Sequence, residues 1–282
     1  MFTADLLKAK RILVTGGGTG IGRAMAHRFL ELGAVVYICG RRKEVLKQAQ
    51  AELSAATGGS IHEHVCDVRD SELVEQMVTS IWREGPLDVL VNNAAGNFLA
   101  RTEELSLRAF EAVIGIVLMG TIHCTMACGR RWLASGRNGH VLNILATYAS
   151  SGSGSAYVVP SAVSKAGVFA LTRSLAVEWG RRGIRFNAIS PGPVRTEGAF
   201  SRLLPRQEFE EAAINRVPLK RFGRPEEIAD LAAFLVSDRA GYINGEVVTI
   251  DGGEWLQGAG EFNSLGMALS DADWETLKPK KN

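Results

Sequence analysis

The chain has 282 residues, 46% of them hydrophobic and 22% charged, with 32 Lys and Arg against 30 Asp and Glu. Such values are ordinary for a globular protein and exclude a disordered chain, which needs fewer apolar residues and more net charge. A formal charge of +2 also excludes a strongly basic nucleic-acid binder.

No run of about 18 uncharged apolar residues is evident, so no membrane-spanning helix is expected. The first residues, Met1-Phe2-Thr3-Ala4-Asp5, carry no basic segment followed by an apolar core, so no targeting signal is expected either. A bacterial cytosol and a eukaryotic organelle matrix both fit. Four cysteines (Cys39, Cys66, Cys124, Cys128) are too few and too scattered for a disulfide scaffold, and no His pair completes a metal set. They are expected as buried thiols in a reducing compartment, with no metal bound.

Short β-branched and aliphatic runs punctuate the chain at 11–15, 35–39, 61–66, 88–91, 141–144, 184–189 and 247–250. Amphipathic segments such as 22–32, 43–55 and 71–82 lie between them. Strands buried on both faces, alternating with helices, predict an α/β fold. The expected architecture is a single domain over 1–282, with a doubly wound, Rossmann-type parallel sheet of about seven strands and helices on both faces. A helical insert is expected at about 195–220, and a tail without strand pattern at 254–282. The short Gly/Ser run at 150–155 reads as a loop at the carboxyl edge of the sheet.

Thr15-Gly16-Gly17-Gly18-Thr19-Gly20-Ile21-Gly22 follows the first strand and opens the first helix. Glycines at that junction let backbone N–H groups approach a pyrophosphate, which a helix N-terminus also attracts. At the end of the second strand, where NAD enzymes carry an acid, stand Arg41 and Arg42. Two guanidiniums suit a 2′-phosphate, so NADPH is the expected cofactor. A solvated basic loop is the alternative. Asp67 and Val68 close the third strand beside the expected adenine. Asn93 and Ala94 follow the fourth, beside the ribose and nicotinamide.

These segments, together with Asn143, Lys165 and Pro191-Gly192-Pro193-Val194, resemble the short-chain dehydrogenase/reductase family over residues 10–253. Most members have a Tyr-x-x-x-Lys pair. Here Ser161 stands four residues before Lys165. The NADPH-dependent 2,4-dienoyl-CoA reductase subgroup shows the same departure. Its pattern is similar to Asn92-Asn93-Ala94-Ala95-Gly96-Asn97-Phe98, Thr147-Tyr148-Ala149, Val158-Val159-Pro160-Ser161 and Gly198-Ala199-Phe200-Ser201-Arg202-Leu203.

The resemblance implies reduction of an acyl-CoA thioester by NADPH, with hydride added at the δ carbon and trans-3-enoyl-CoA as product, within unsaturated fatty acid β-oxidation. Tyr148 and Asn97 would donate hydrogen bonds to the thioester oxygen, where a dienolate develops charge. Lys165 would hold the nicotinamide ribose, and Ser161 would support the site. The glycine loop (Gly16, Gly18, Thr19, Gly20, Ile21, Gly22), Arg41, Arg42, Asp67, Val68, Asn93, Ala94, Pro191, Gly192 and Val194 would bind the cofactor. Arg41, Arg69, Phe98, Ser106 and Tyr157 would face the substrate; Arg101, Arg202 and Arg206 are further phosphate candidates by their charge, without a match in the subgroup. A homotetramer through helices near 110–133 and 161–179 is also implied.

Alternatives remain at several positions. Tyr148 could be a packing residue, Asn97 a turn cap and Ser161 a helix N-cap. Tyr157 is a rival phenol, although eight residues from Lys165 is more than two helical turns. Met119 stands where the family commonly has Asn, and a thioether cannot donate a hydrogen bond. The loop at 150–155 is longer than in the subgroup. Another enoyl or 3-oxoacyl thioester as substrate, or a non-catalytic nucleotide-binding protein, are the competing functions.

Overall fold

The computed structural model describes residues 3–149, 155–196, 207–259 and 269–276. Its sheet holds β1 (Arg11–Thr15), β2 (Val35–Gly40), β3 (Ile61–Val65), β4 (Val89–Asn92), β5 (Gly139–Ile144), β6 (Ile184–Pro191) and β7 (Val247–Ile250). All seven run parallel in the order β3-β2-β1-β4-β5-β6-β7. The chain winds outward one way from β1 and the other way from β4. The crevice for a ligand therefore opens where these two strands meet, at their carboxyl ends.

Within each strand, successive side chains serve opposite faces. Ile12, Val14, Val36, Ile38, Val89 and Val91 join one core, closed by α1 (Gly20–Glu31), α2 (Lys43–Thr57) and α8 (Pro225–Val236). Leu13, Tyr37, Leu90, Val141 and Phe186 join the other, closed by α3 (Ser71–Glu84), α5 (Gly120–Ser135) and α6 (Val159–Gly180). Fully burying each such aliphatic side chain contributes about 1.5–3 kcal/mol, so the two layers dominate stability. All four cysteines are free and lie in the second core, as expected. Burial pushes the Cys128 thiol up to about 12.

Local chemistry sets the helix ends that border the site. Asp70 caps α3 by accepting from the Glu72 and Leu73 N–H groups at 2.9 and 3.1 Å. Trp132, fully buried on α5, donates to the Leu87 carbonyl at 2.6 Å. It leaves no room at the first residue of β5, because a Cβ on Gly139 would sit 2.4 Å from its ring. The β5 strand is thus seated directly on α5.

From Leu107 to Ser135 the chain is helical without a break, and by length and hydropathy it could cross a membrane, with half of its most apolar window buried. The charges sit at its ends (Arg108, Glu111, Arg130, Arg131), leaving 112–129 without any Asp, Glu, Lys or Arg. In the fold, its Val117, Cys124, Ala127, Cys128 and Trp132 enter the core beside the sheet. This helix comprises α4 (Leu107–Ile114), a π-helical turn at Gly115–Met119, and α5.

The expected insert contains α7 (Gln207–Arg216), and the tail contains α9 (Glu254–Ala259) and α10 (Asp271–Thr276). Residues 150–154, 197–206, 260–268 and 277–282 lie outside the described residues. They include most of the Gly/Ser loop and the segment 198–203, with Arg202, and Arg206.

Candidate active site

The glycine loop joins β1 to α1 at the crevice. Gly16 and Gly20 have φ of 67° and 54°, a left-handed backbone that glycine adopts without a Cβ penalty. Gly22 is required by proximity, since its Cβ would lie 2.4 Å from the Gly16 carbonyl. Thr19 precedes α1 without a side-chain cap, so the N–H groups of the first helical turn face the crevice with no side-chain acceptor. Gly18 packs toward Leu46 of α2, and Ile21 is half-buried.

Asn93 and Ala94 hold this loop from β4. Their backbone N–H groups both donate to the Thr15 hydroxyl at 3.0 Å, and the Asn93 amide donates to the Thr15 carbonyl at 2.9 Å. Asn93 thus engages the loop itself. Opposite, the segment after β6 closes the crevice. Pro191 pairs with Ile250, and Gly192 lies so near Asp251 that a Cβ would sit 2.6 Å from that side chain. Val194 is buried and bridges to Gly223. Two residues later, Thr196 would lie 3.5 Å from a Cβ on Gly20. Thr15 and Thr196 were not singled out in the sequence, where a Thr beside glycines carries no distinctive signal.

Arg41 and Arg42 follow β2, exposed, and neither forms an ion pair among the described residues. Asp67 is instead gripped by Arg69, with Nη2 2.5 Å and Nε 3.0 Å from its carboxylate. Hydrogen bonds from Arg69, then the nearby charges of Arg69 and Arg41, hold the Asp67 carboxyl below its ordinary range. Arg69 therefore sits on the cofactor-side Asp67, its stem along the π-helical turn near Gly115. Val68 is buried where Gly120 lets α5 approach, and its carbonyl meets His123 Nδ1 at 3.0 Å.

The catalytic candidates come together at the ends of β4 and β5. Tyr148 lies in the short helical turn Thr147–Ala149 just past β5, and its phenol meets the Ser161 hydroxyl at 2.9 Å. Burial holds the phenol above its ordinary pKa, with the Ser161 bond opposing. The group is therefore a protonated donor at neutral pH. Ser161 is buried inside α6, two residues past its start, and the cap position is Val158, so the N-cap alternative fails. Lys165 follows one turn later on the same face of α6. Its buried ammonium donates to the Ile144 carbonyl, at the last residue of β5, and desolvation lowers its pKa to about 8.

Asn97, in the loop after β4, accepts the Phe98 N–H on Oδ1 at 2.9 Å. That bond assigns the amide: oxygen to the backbone, NH₂ left to donate elsewhere. Phe98 is half-buried beside it. Tyr157 is a non-glycine residue with φ of 65°, and its carbonyl accepts the Ala100 N–H at 3.0 Å, tying the Asn97 loop to the entry of α6. Its phenol is exposed, with no hydrogen-bond partner among the described residues, unlike the buried Tyr148. Ser106 caps α4, accepting from Ala109 N–H at 3.1 Å, and Arg101 pairs with Glu104 at 3.5 Å. Both have local structural partners.

Comparisons with known proteins agree on the family. Residues 16–254 match the family model described as Enoyl-(Acyl carrier protein) reductase. A Bacillus subtilis protein, named as a probable 2,4-dienoyl-CoA reductase producing the (2E)-enoyl-CoA, is 45% identical over 89% of this chain and 98% of its own length. A Caenorhabditis elegans protein, named as a probable 2,4-dienoyl-CoA reductase 3 producing the (3E)-enoyl-CoA, is 46% identical over 88% of this chain and 81% of its own. The crystal structure of a short chain dehydrogenase from Bacillus anthracis superposes with a TM-score of 0.80 at 44% identity, covering 88% of this chain and 97% of that one. With its seven-stranded parallel sheet and glycine-lined crevice, the chain belongs to the short-chain dehydrogenase/reductase family and is an oxidoreductase of that family.

Proposed function

We propose that this oxidoreductase reduces 2,4-dienoyl-CoA thioesters with NADPH. The observation that carries the reading is a pair of candidate donors at the ends of β5 and β4. Tyr148 is buried against Ser161, and Asn97 has its carbonyl engaged by Phe98 N–H so that its NH₂ is the group left to donate. The names of the relatives support the same substrate class. Single-olefin enoyl thioesters are the second reading, favoured by the name of the matched family model.

The crevice residues fit NADPH. A Cβ at Gly16 or Gly22 would collide with the loop or with Asn93, so the chain there is pared to backbone. The α1 terminus, without a side-chain cap, and the guanidiniums of Arg41 and Arg42, without an ion pair among the described residues, suit pyrophosphate and 2′-phosphate. NADPH, when bound, supplies the hydride.

The chain's own residues then act on the thioester. Tyr148 and Asn97 donate hydrogen bonds to its oxygen, where charge gathers as the δ carbon is reduced. Ser161 donates to the Tyr148 oxygen, leaving the phenol proton for the thioester. Lys165 adds positive potential and holds the ribose. A proton from solvent then completes reduction at the α carbon, and trans-3-enoyl-CoA results. Arg41 and Arg69 flank the crevice where the anionic CoA nucleotide would enter, and Phe98 and Tyr157 line the acyl side. This chemistry would serve β-oxidation of unsaturated fatty acids in a bacterial cytosol or an organelle matrix.

The outer faces of the helices also suggest assembly. Leu107, Val163 and Val177 are exposed on α4 and α6, an apolar surface that a homotetramer would cover. Light scattering is expected to give four times the mass of 30.4 kDa, and a monomer mass removes the tetramer.

NADPH oxidation with 2,4-hexadienoyl-CoA and 2,4-decadienoyl-CoA is expected for the wild type. Tyr148→Phe and Asn97→Ala should each lower kcat by about 100-fold or more. NMR of the product distinguishes the 3-enoyl from the 2-enoyl isomer. Absence of turnover, with NADPH binding intact, overturns the substrate assignment.

The cofactor choice is tested by replacing both Arg41 and Arg42 with Ala. KM for NADPH should rise on the order of tenfold or more, with NADH little affected. Equal losses for both nucleotides would place the pair elsewhere than at the 2′-phosphate.

The pH dependence follows from Lys165. Its ammonium loses its proton as pH rises through about 8, well before the raised Tyr148 phenol ionises. If the cation is needed, kcat/KM should fall above about pH 8, since that ratio reports the free enzyme. A profile flat to pH 10 would remove the ammonium from the reaction.

A further inference from the structure

Behind the site, buried hydrogen bonds form a chain with a fixed direction. The Thr172 hydroxyl donates its single proton to the Val168 carbonyl at 2.7 Å. It can therefore only accept from Asn143, whose Nδ2 lies 2.8 Å away. With that NH₂ turned to α6, Asn143 presents its oxygen to Asn92, whose Nδ2 donates at 2.9 Å. The same Asn92 NH₂ reaches Thr125 Oγ1 of α5 at 3.1 Å. Asn92 is left with its Oδ1 buried and without a hydrogen-bond partner among the described residues. A buried acceptor without a donor is costly and uncommon. Here it follows from the polarity that Thr172 imposes, because either amide flip would set oxygen against oxygen.

The chain ends beside the catalytic candidates. Asn143 and Ile144 are successive residues at the end of β5. Asn143 binds Thr172, and the Ile144 carbonyl binds Lys165. Thr172 and Lys165 are seven residues apart, about two turns, so they share one face of α6. The helix is thus attached to β5 at two points, one buried and neutral, the other the Lys165 ammonium.

We propose that Thr172 is a positioning residue for Lys165: the bond it accepts from Asn143 sets the rotation and depth of α6 against β5, and so brings the ammonium onto the Ile144 carbonyl. The proposal rests on Lys165 belonging to the site, but not on which thioester is reduced. No carboxylate or cation among the described residues perturbs Lys165, whose shift arises from burial alone. The titratable group held nearest along α6 is the Tyr148 phenol, through Ser161 one turn earlier.

Thr172→Val keeps the shape and removes the hydroxyl. Thr125→Val makes the same change at the other end of the chain, where it leaves the link to α6 intact. Thr172→Ser restores the hydroxyl. The first readout needs no substrate: the pH titration of the Lys165 side-chain nitrogen, followed by NMR in lysine-labelled protein and assigned with Lys165→Met. Thr172→Val should move that titration by about half a pH unit or more, Thr172→Ser should return it, and Thr125→Val should leave it in place. The second readout is turnover, where Thr172→Val should lower kcat on the order of tenfold with KM little changed, as misplacement of a reacting group does. Should Thr172→Val not accumulate as folded protein, Thr172→Ala is read in the same way. An unmoved titration, or an equal shift in Thr125→Val, overturns the proposal. Failure of the dienoyl reading would remove turnover in every variant, wild type included, while leaving the titration interpretable.

Discussion

A lysine ammonium buried at the carboxyl end of a parallel sheet must find an acceptor, and the position of that acceptor organises the site. Desolvation disfavours the charged form of Lys165, which the Ile144 carbonyl opposes by accepting from it. The contact fixes α6 against the last residue of β5. Ser161 lies one turn before the lysine on the same helical face, and Tyr148 lies four residues beyond the same strand end. Their hydroxyls then meet at 2.9 Å. One strand end and one helix face determine three of the four catalytic candidates, and the fourth, Asn97, extends from the end of β4, the neighbouring strand.

The arrangement separates two groups that a Tyr-x-x-x-Lys pair would join. A phenol one helical turn from an ammonium is poised to lose its proton. Here a serine occupies that place, and the phenol reaches it from the strand side, in surroundings that keep the phenol protonated. Such a site is better matched to holding an oxyanion by hydrogen bonds than to passing a full proton to a carbonyl oxygen. The Asn97 amide fits the same purpose, because its oxygen is already engaged by a backbone N–H.

Much of this was legible in the sequence because it is local. The strands, the glycine loop and the arginines after β2 follow from short patterns that a parallel sheet imposes on buried segments. Ser161 was ambiguous between helix cap and site, since its neighbours fit either, and only the start of α6 at Val159 decides it. The π-helical turn at Gly115–Met119 leaves no compositional mark. The chain from Asn92 through Asn143 to Thr172 joins residues 51 and 29 positions apart, which no spacing rule connects.

The two relatives near 45% identity carry different products in their names, and one dienolate can yield either product. A dienolate shares its charge among the thioester oxygen, the α carbon and the γ carbon. Donors at the oxygen, the role proposed for Tyr148 and Asn97, lower the barrier to hydride addition whichever carbon is later protonated. The pair therefore governs rate, and the isomer depends on which carbon a proton source can reach. Tyr157 holds a left-handed backbone at a cost and links the Asn97 loop to the start of α6 through Ala100, while its ring remains in solvent. That backbone bond joins the loop that carries Asn97 to the start of the helix that carries Ser161 and Lys165. Under the proposed reading, rate depends on the buried hydroxyls and the amide of Asn97, and regiochemistry on which carbon a solvent proton reaches.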